Sequence, residues 1–369
     1  MKKVKVCTIT HHTVPNYGAV LQSFALQKKL DHLGIDNEIL NYKSLRVERT
    51  YLRHLKYCKN VKQLIKYFLY FKMRKRYFKF DKFIIDNLNV SREYSKEELS
   101  CSNENYDLFI TGSDQVWNLN IHQGDTSYML DFVKDDYKKG SYAASFGYSE
   151  IPREFIGITF NLLKKLDYFL VREETGAKLL KDIGINKEIN VVLDPTLLLT
   201  KEHYMKFVKE KREDYVLVYD LINSNELNKF ALQIGKEKNL KVKCINTSRK
   251  SVNGMDNIYD AGPEEFLDLI ANANYVVTSS YHGIIFSLVF EREFYFALNK
   301  NTTNNNSRIV DLSQKLGFEN RNIECFRQTE KINYDWINQK LDNLRKNSES
   351  LLLNMIRAAE ERGEKNYDY

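Results

Sequence analysis

The residues best placed to do chemistry form one run, Thr278-Ser279-Ser280-Tyr281-His282-Gly283, set between the apolar stretches 275–277 and 284–290. A strand, a polar turn and a helix in that order leave the first backbone N–H groups of the helix unpaired and partially positive. An anion can sit there beside two hydroxyls and an imidazole. The run reads as an anion site contacted by Ser279, Ser280 and Gly283, with His282 as its proton donor. The same residues would also serve as a plain helix cap with a half-buried histidine.

A second run, Gly112-Ser113-Asp114-Gln115-Val116-Trp117-Asn118, follows the stretch 106–111. The Ser113 hydroxyl, the Asp114 carboxylate, the amides of Gln115 and Asn118 and the flat face of Trp117 are the groups that sugar recognition needs. Asp114 can take a proton from a hydroxyl if burial or a neighbour raises its pKa. Alternatively Asp114 caps a helix and Trp117 lies in the core. Asn16-Tyr17-Gly18-Ala19 has a single glycine and is not a GxGxxG fingerprint, so NAD and FAD are not expected. Asn16 and Gly18 there let a hydroxyl or phosphate approach a helix start, while His11 and His12 nearby suit a loop as well as a ligand. Arg172, before Glu173 and Glu174, offers its guanidinium to an anion or pairs with Glu174. Asp194-Pro195-Thr196 reads as a structural turn. The loop 299–308 carries Lys300 and Arg308, and a forked guanidinium suits a carboxylate or phosphate held near His282.

Each of these turns ends a strand. Residues 4–10, 19–33 and 35–42 read as a βαβ opening. Strands at 106–111, 141–146, 168–172 and 189–193 alternate with helices at 154–166 and 173–183. A second series follows, with strands at 215–221, 242–246, 275–278 and 294–298 and helices starting at Glu226, Pro263, Gly283 and Ser307. The alternation predicts an α/β protein of two Rossmann-like, doubly wound domains facing a cleft, because polar turns at the carboxyl ends of parallel strands converge there. The expected limits are 1–205 for a first domain carrying a basic helical excursion at about 43–100, 206–333 for a second domain, and 334–369 for a helix packing back.

At 369 residues, 43% hydrophobic and 28% charged, the chain suits a globular protein large enough for both domains. Cys7, Cys58, Cys101, Cys244 and Cys325 are odd in number and show no CxxC spacing. Reduced thiols are therefore expected, with neither disulfide frame nor zinc site, and no His/Asp/Glu cluster has the spacing of a metal site. Residues 1–10 alternate charged and apolar residues, as a strand does and a signal sequence does not, and no stretch reaches the ~20 apolar residues of a spanning helix. A cytoplasmic protein is expected. The net charge of +7 suits an anionic ligand, a membrane surface or nucleic acid. Lys and Arg interleaved with Tyr and Phe over 43–82 fit either peripheral contact with the inner face of a membrane or a solvated excursion whose aromatics pack on the sheet. With no nucleic-acid-binding motif around them, nucleic acid is not an expected partner.

Taken in order, Asn16-Tyr17-Gly18-Ala19-Val20-Leu21-Gln22, Gly112 to Asn118, Ala144-Ser145-Phe146-Gly147, Val171-Arg172-Glu173, Leu193-Asp194-Pro195-Thr196 and Ser280-Tyr281-His282-Gly283 resemble the polysaccharide pyruvyl transferase family. The resemblance runs from Val4 to about Gly317, apart from the basic excursion. It implies a GT-B-like fold and transfer of a pyruvyl group from phosphoenolpyruvate to a sugar of a bacterial surface polysaccharide or its lipid-linked precursor. Phosphoenolpyruvate would be a co-substrate, with no cofactor. His282 would act as the acid and Asp114 as the proton acceptor. Ser279, Ser280, Gly283, Arg172 and Arg308 would hold phosphate and carboxylate, and Asn16, Gly18, Ser113, Gln115 and Trp117 the sugar side. The chain departs from the family motif at Ser280, where relatives carry an arginine that contacts the donor; Arg308 or Lys300 could replace that charge. A GT-B glycosyltransferase using a sugar nucleotide, and a non-catalytic polysaccharide-assembly protein, remain alternatives.

Overall fold

The computed structural model describes residues 4–42, 71–211, 213–247, 251–300, 306–325 and 330–367. They fall into two compact units. The first takes in 4–42, 84–199 and 342–367, and the second 71–83 and 200–341.

In the first unit, β1 (Lys5–Ile9), α1 (Tyr17–His32) and β2 (Asp36–Tyr42) form the opening βαβ. After α2 (Phe71–Asn87) come β3 (Val90–Tyr94), β4 (Leu108–Thr111), β5 (Lys139–Ala144), α3 (Arg153–Leu163), β6 (Tyr168–Val171), α4 (Glu174–Asp182) and β7 (Ile189–Val191). All seven strands are parallel, in the order β3-β2-β1-β4-β5-β6-β7. Every residue of β4 and β5 is buried, which is why these strands read as continuous runs instead of an alternation. Lys139 is buried in β5 because its ammonium meets Asp136 at 2.7 Å.

The second unit repeats the plan with β8 (Tyr215–Tyr219), α5 (Asn225–Lys238), β9 (Lys241–Ile245), β10 (Asp256–Ile258), α6 (Pro263–Asn272), β11 (Tyr275–Thr278), α7 (Tyr281–Val289), β12 (Glu293–Phe296) and α8 (Ser307–Leu316). Its five strands are parallel, in the order β10-β9-β8-β11-β12. In both sheets the order reverses beside the first strand, between β1 and β4 and between β8 and β11. Those reversals are where doubly wound sheets bind ligands, outside the carboxyl ends of the strands.

Three boundaries differ from the sequence reading. Of the excursion expected at about 43–100, the part over 43–70 lies outside the described residues. Its described end is α2, whose residues 71–83 belong to the second unit, followed by strand β3 in the first. Lys79 draws α2 to that unit, with Nζ 2.8 Å from Glu265 and 3.7 Å from Asp260, and Phe83 packs on Phe207 at 5.4 Å between ring centroids. The chain passes between units at 199/200 instead of 205/206. The last helix, α9 (Tyr334–Tyr367), divides at 341/342. In the first unit it is anchored by Ser348, whose hydroxyl accepts from Leu193 N–H at 3.0 Å, and by Glu349, paired with Lys29. The edge strands β3 and β10 were missed because they are only partly buried.

Candidate active site

The first unit's reversal is built around the ends of β1 and β4. The Thr10 hydroxyl donates to the Ser113 main-chain oxygen at 2.9 Å and accepts from Gln22 Nε2 at 2.8 Å, which ties the two strand ends to α1. Asp114 then leaves the sheet with φ 82°, a left-handed conformation that Asp tolerates better than most residues but that still costs about 1 kcal/mol or more. Backbone bonds hold it there. Its carbonyl accepts from Ser145 N–H at 3.1 Å, and the Ser145 carbonyl accepts from Trp117 N–H at 3.1 Å. Gly147, at φ 65°, lies against the Gln115 side chain, where a Cβ would collide.

Around Asp114 the charged groups converge. His11 Nδ1 is 3.4 Å from Asp114 Oδ2, and His11 Nε2 is 3.2 Å from His122 Nε2. His122 stacks on Tyr128 at 4.4 Å between centroids. On the other side Arg172, its side chain fully buried, sets Nε 3.2 Å from Glu173, Nη1 3.4 Å from Asp194 and Nη1 4.0 Å from Asp114 Oδ1. Glu173 also accepts from the Ser145 hydroxyl. Asp194 accepts from the hydroxyls of Ser113 at 3.0 Å and Thr196 at 2.6 Å, and Pro195 begins the single helical turn it caps. Burial, then the His11 charge, push the His122 imidazole down to about 3, so it is neutral at ordinary pH. Burial works to raise Asp125, but hydrogen bonds from Tyr42 and Ser127 together with Lys96 outweigh it and hold that carboxyl below its usual range.

The second unit's reversal is built from hydroxyls. Thr278, the last residue of β11, donates through Oγ1 to the Tyr219 carbonyl of β8 at 2.6 Å and accepts from Ser280 N–H at 3.0 Å. A Cβ on Gly283 would run into that same Oγ1, so only glycine lets α7 start this close to β11. Ser280 is the N-cap of α7, accepting from Gly283 N–H at 3.4 Å. Ser279 donates to Asp220 at 2.7 Å and accepts from Leu221 N–H at 2.8 Å, joining the ends of β11 and β8. His282 is in the first turn of α7 and is buried, edge-on to Tyr281. Arg308, in the first turn of α8, lays its guanidinium over the Tyr281 ring at 5.3 Å.

Ser279, Ser280, His282, Gly283 and Arg308 gather at the start of α7, and Asp114 and Ser113 gather at the end of β4. Asn16 is exposed and caps α1 through Ala19 N–H at 3.3 Å, and Gly18 is buried in that helix's first turn. Trp117 is not a sugar platform: it is 1% exposed and packs on Phe146 and Phe169. Arg172 faces three carboxylates, so its charge holds strand ends together and is not offered to an anion. Lys300 is tied to Glu226 and Glu324 at 2.8 Å each. His122, Glu173 and Asp194 were missed as site residues. They enter the site only through the fold, since no sequence spacing links them to Asp114. Among the described residues no group of three or more His, Cys, Asp or Glu is arranged to hold a metal ion.

The model of the family described as polysaccharide pyruvyl transferase matches residues 16–301, most of the chain. The chain belongs to the polysaccharide pyruvyl transferase family. As a member of this transferase family it has no match among curated proteins. Solved structures resemble it at low identity. UDP-GlcNAc 2-epimerase from Methanocaldococcus jannaschii, in complex with UDP-GlcNAc and UDP, is 14% identical with a TM-score of 0.46, over 93% of each chain. UDP-N-acetylglucosamine 2-epimerase from Rickettsia bellii is 11% identical with a TM-score of 0.49, over 96% of this chain and 98% of that one. UDP-GlcNAc 2-epimerase from Neisseria meningitidis bound to UDP-GlcNAc is 11% identical with a TM-score of 0.45, over the whole of both chains.

Proposed function

We propose that this member of the family transfers a pyruvyl group from phosphoenolpyruvate to two hydroxyls of a sugar in a bacterial surface polysaccharide or its lipid-linked precursor. The observation that carries the reading is the family match over 16–301, joined to the gathering of Ser280, His282, Gly283 and Arg308 at one strand end. In this reading the second unit binds the donor. The phosphate lies at the start of α7, a helix amino end capped by Ser280, and Arg308 supplies the positive charge that Ser280 does not. His282 protonates the methylene carbon, giving an oxocarbenium-like centre.

The first unit serves the acceptor. One sugar hydroxyl attacks the cationic carbon and loses its proton to Asp114. The C–O bond to phosphate then breaks, and the second hydroxyl attacks and gives its proton to the departing phosphate. One proton is added to carbon, two are released from hydroxyls, and inorganic phosphate leaves. A weakly basic carboxylate suffices for Asp114, because a hydroxyl becomes strongly acidic as its oxygen bonds to an oxocarbenium carbon.

Membrane contact belongs to the same proposal. On α2, Phe78 is 69% exposed, beside Arg74, Lys75 and Lys82, with a cavity of about 570 Å³ reaching to Pro263. A basic face with an exposed aromatic suits anionic headgroups. Among the described residues no helix is long and apolar enough to cross a membrane.

The test is thermal unfolding with saturating phosphoenolpyruvate and, separately, with a panel of sugar nucleotides. A ligand at ~100 times its Kd stabilises the folded state by about 2.7 kcal/mol. A shift with phosphoenolpyruvate that disappears in Arg308→Gln supports the reading. A shift with a sugar nucleotide alone overturns it and assigns the α7 turn to a diphosphate.

A further inference from the structure

The turn that carries Asp114 has a counterpart in the neighbouring strand. Strands β4 and β5 pair evenly from Phe109 with Lys139 to Thr111 with Ser141, part over 112–113 and 142–143, and meet again at Asp114 and Ala144. On its other side β5 carries one residue too many: Tyr142 and Ala143 lie between the partners of Phe169 and Val171, where β6 has only Leu170. That is a β-bulge, rare between parallel strands and frequent beside active sites. Its backbone turns at Ala143, at φ 52°, which among the described residues is the only non-glycine residue inside a strand with a left-handed backbone. The methyl group of alanine offers no local hydrogen bond to favour that conformation, as the side chains of Asp and Asn do. A strained residue kept in a fully buried strand is held by its surroundings, and such residues cluster at functional sites.

We propose that Ala143 is a positioning residue for Asp114: its left-handed backbone makes the bulge that sets the main chain of Ala144 and Ser145 against the Asp114 turn. A regular strand would set Ala143, not Ala144, opposite Val171 and would carry every later residue of β5 to the opposite face. With the bulge, Ser145 N–H donates to the Asp114 carbonyl at 3.1 Å, the Ser145 carbonyl accepts from Trp117 N–H at 3.1 Å, and the Ala144 carbonyl accepts from Arg172 N–H at 3.2 Å. The Ser145 hydroxyl donates to Glu173 and accepts from Gly147 N–H at 3.1 Å. Ser145 therefore holds the segment 114–117 at both ends, and the φ of 82° at Asp114 depends on the φ of 52° at Ala143.

Only the use of Asp114 as a proton acceptor rests on the proposed reaction; its placement is tested without substrate. The test compares two substitutions of nearly equal volume and opposite backbone preference, Ala143→Asn and Ala143→Thr, in the full-length protein. Asn tolerates the left-handed region, whereas a β-branched residue is a genuine outlier there. Two signals are read: the backbone chemical shifts of Asp114, which report its φ, and hydrogen exchange at the Ser145 and Trp117 amides. Ala143→Asn and Ala143→Gly should leave both as in wild type. Ala143→Thr should move the Asp114 shifts and speed exchange at Ser145 and Trp117 by about 10-fold or more relative to the amides of β2. Equal behaviour of the Asn and Thr variants, or acceleration spread evenly over the first unit, would overturn the proposal, because added bulk or lost stability would then be the cause. A displaced Asp114 in Ala143→Gly would overturn it too, assigning the bulge to packing of the alanine methyl. A Thr variant that fails to fold beside a folded Asn variant supports the proposal, and if neither folds Ala143→Gly decides alone. Failure of phosphoenolpyruvate binding would leave these signals untouched, so the two readings fail separately.

Discussion

The two sheet reversals use the same topology for different electrostatics. At the first, between β1 and β4, ionisable side chains crowd together: His11, His122, Asp114, Arg172, Glu173 and Asp194 lie in one contact network. At the second, between β8 and β11, the strand ends are joined by the hydroxyls of Thr278, Ser279 and Ser280, with Asp220 as the acid, and the cation Arg308 stands over an aromatic ring. A charged network fixes a carboxylate in place and resists change, because removing one member strands the others in a low-dielectric site. A hydroxyl network satisfies the backbone at the start of α7 without placing carboxylates there. The first arrangement suits positioning of a proton acceptor and the second suits an incoming anion.

The largest expected effect breaks the comparison at its chemical end. His282→Gln should lower phosphate release from phosphoenolpyruvate in the presence of acceptor by about 10²–10⁴-fold, the range for loss of a general acid. Unfolding in denaturant should change little; equal losses of stability would mean that His282 is a packing residue. Next, Asp194→Ala should destabilise the first unit by about 1–3 kcal/mol, since it removes the acceptor of the buried Ser113 and Thr196 hydroxyls. Hydrogen exchange resolved by segment checks it, and protection should fall over β4 to β7 and not over β8 to β12.

Acid should also separate the units. His122 binds its proton near pH 3 in the folded state and near 6.5 when unfolded, so only the unfolded chain is protonated between those values. Stability from this group is therefore complete above pH 6.5 and falls as pH drops toward 3, by up to about 1.4 kcal/mol per pH unit. His122→Phe should flatten that part of a urea-midpoint-against-pH curve. Arg308→Gln should raise KM for phosphoenolpyruvate by about 10-fold or more with a smaller change in kcat, as expected for loss of a charged contact to an anion. The smallest effect is that of Ser280→Ala, about 1 kcal/mol for a lost N-cap, read in chemical denaturation.

Much of the fold was legible because buried parallel strands announce themselves. Residues 108–111 and 275–278 are apolar runs ended by polar turns, and the helices between strands carry their own start signals, such as Pro263 followed by Glu264 and Glu265. The edge strands β3 and β10 were illegible for the converse reason, since a strand with an open side need not be apolar. The turn between β11 and α7 was readable because Ser279, Ser280, His282 and Gly283 are neighbours in the chain. The role of Trp117 was not, because a tryptophan after a polar turn looks the same whether it faces a ligand or Phe146 and Phe169.

By itself the sequence determined the family, the two alternating series of strands and helices and the local turns, because each depends on residues within a few positions of one another. Only the tertiary structure decided the partners of charge. Arg172 meets Asp114 and Asp194, and His11 meets His122 across 111 residues of chain, because parallel pairing from β1 through β4, β5 and β6 to β7 brings their carboxyl ends side by side. Those approaches follow from strand order and register, which no local spacing encodes.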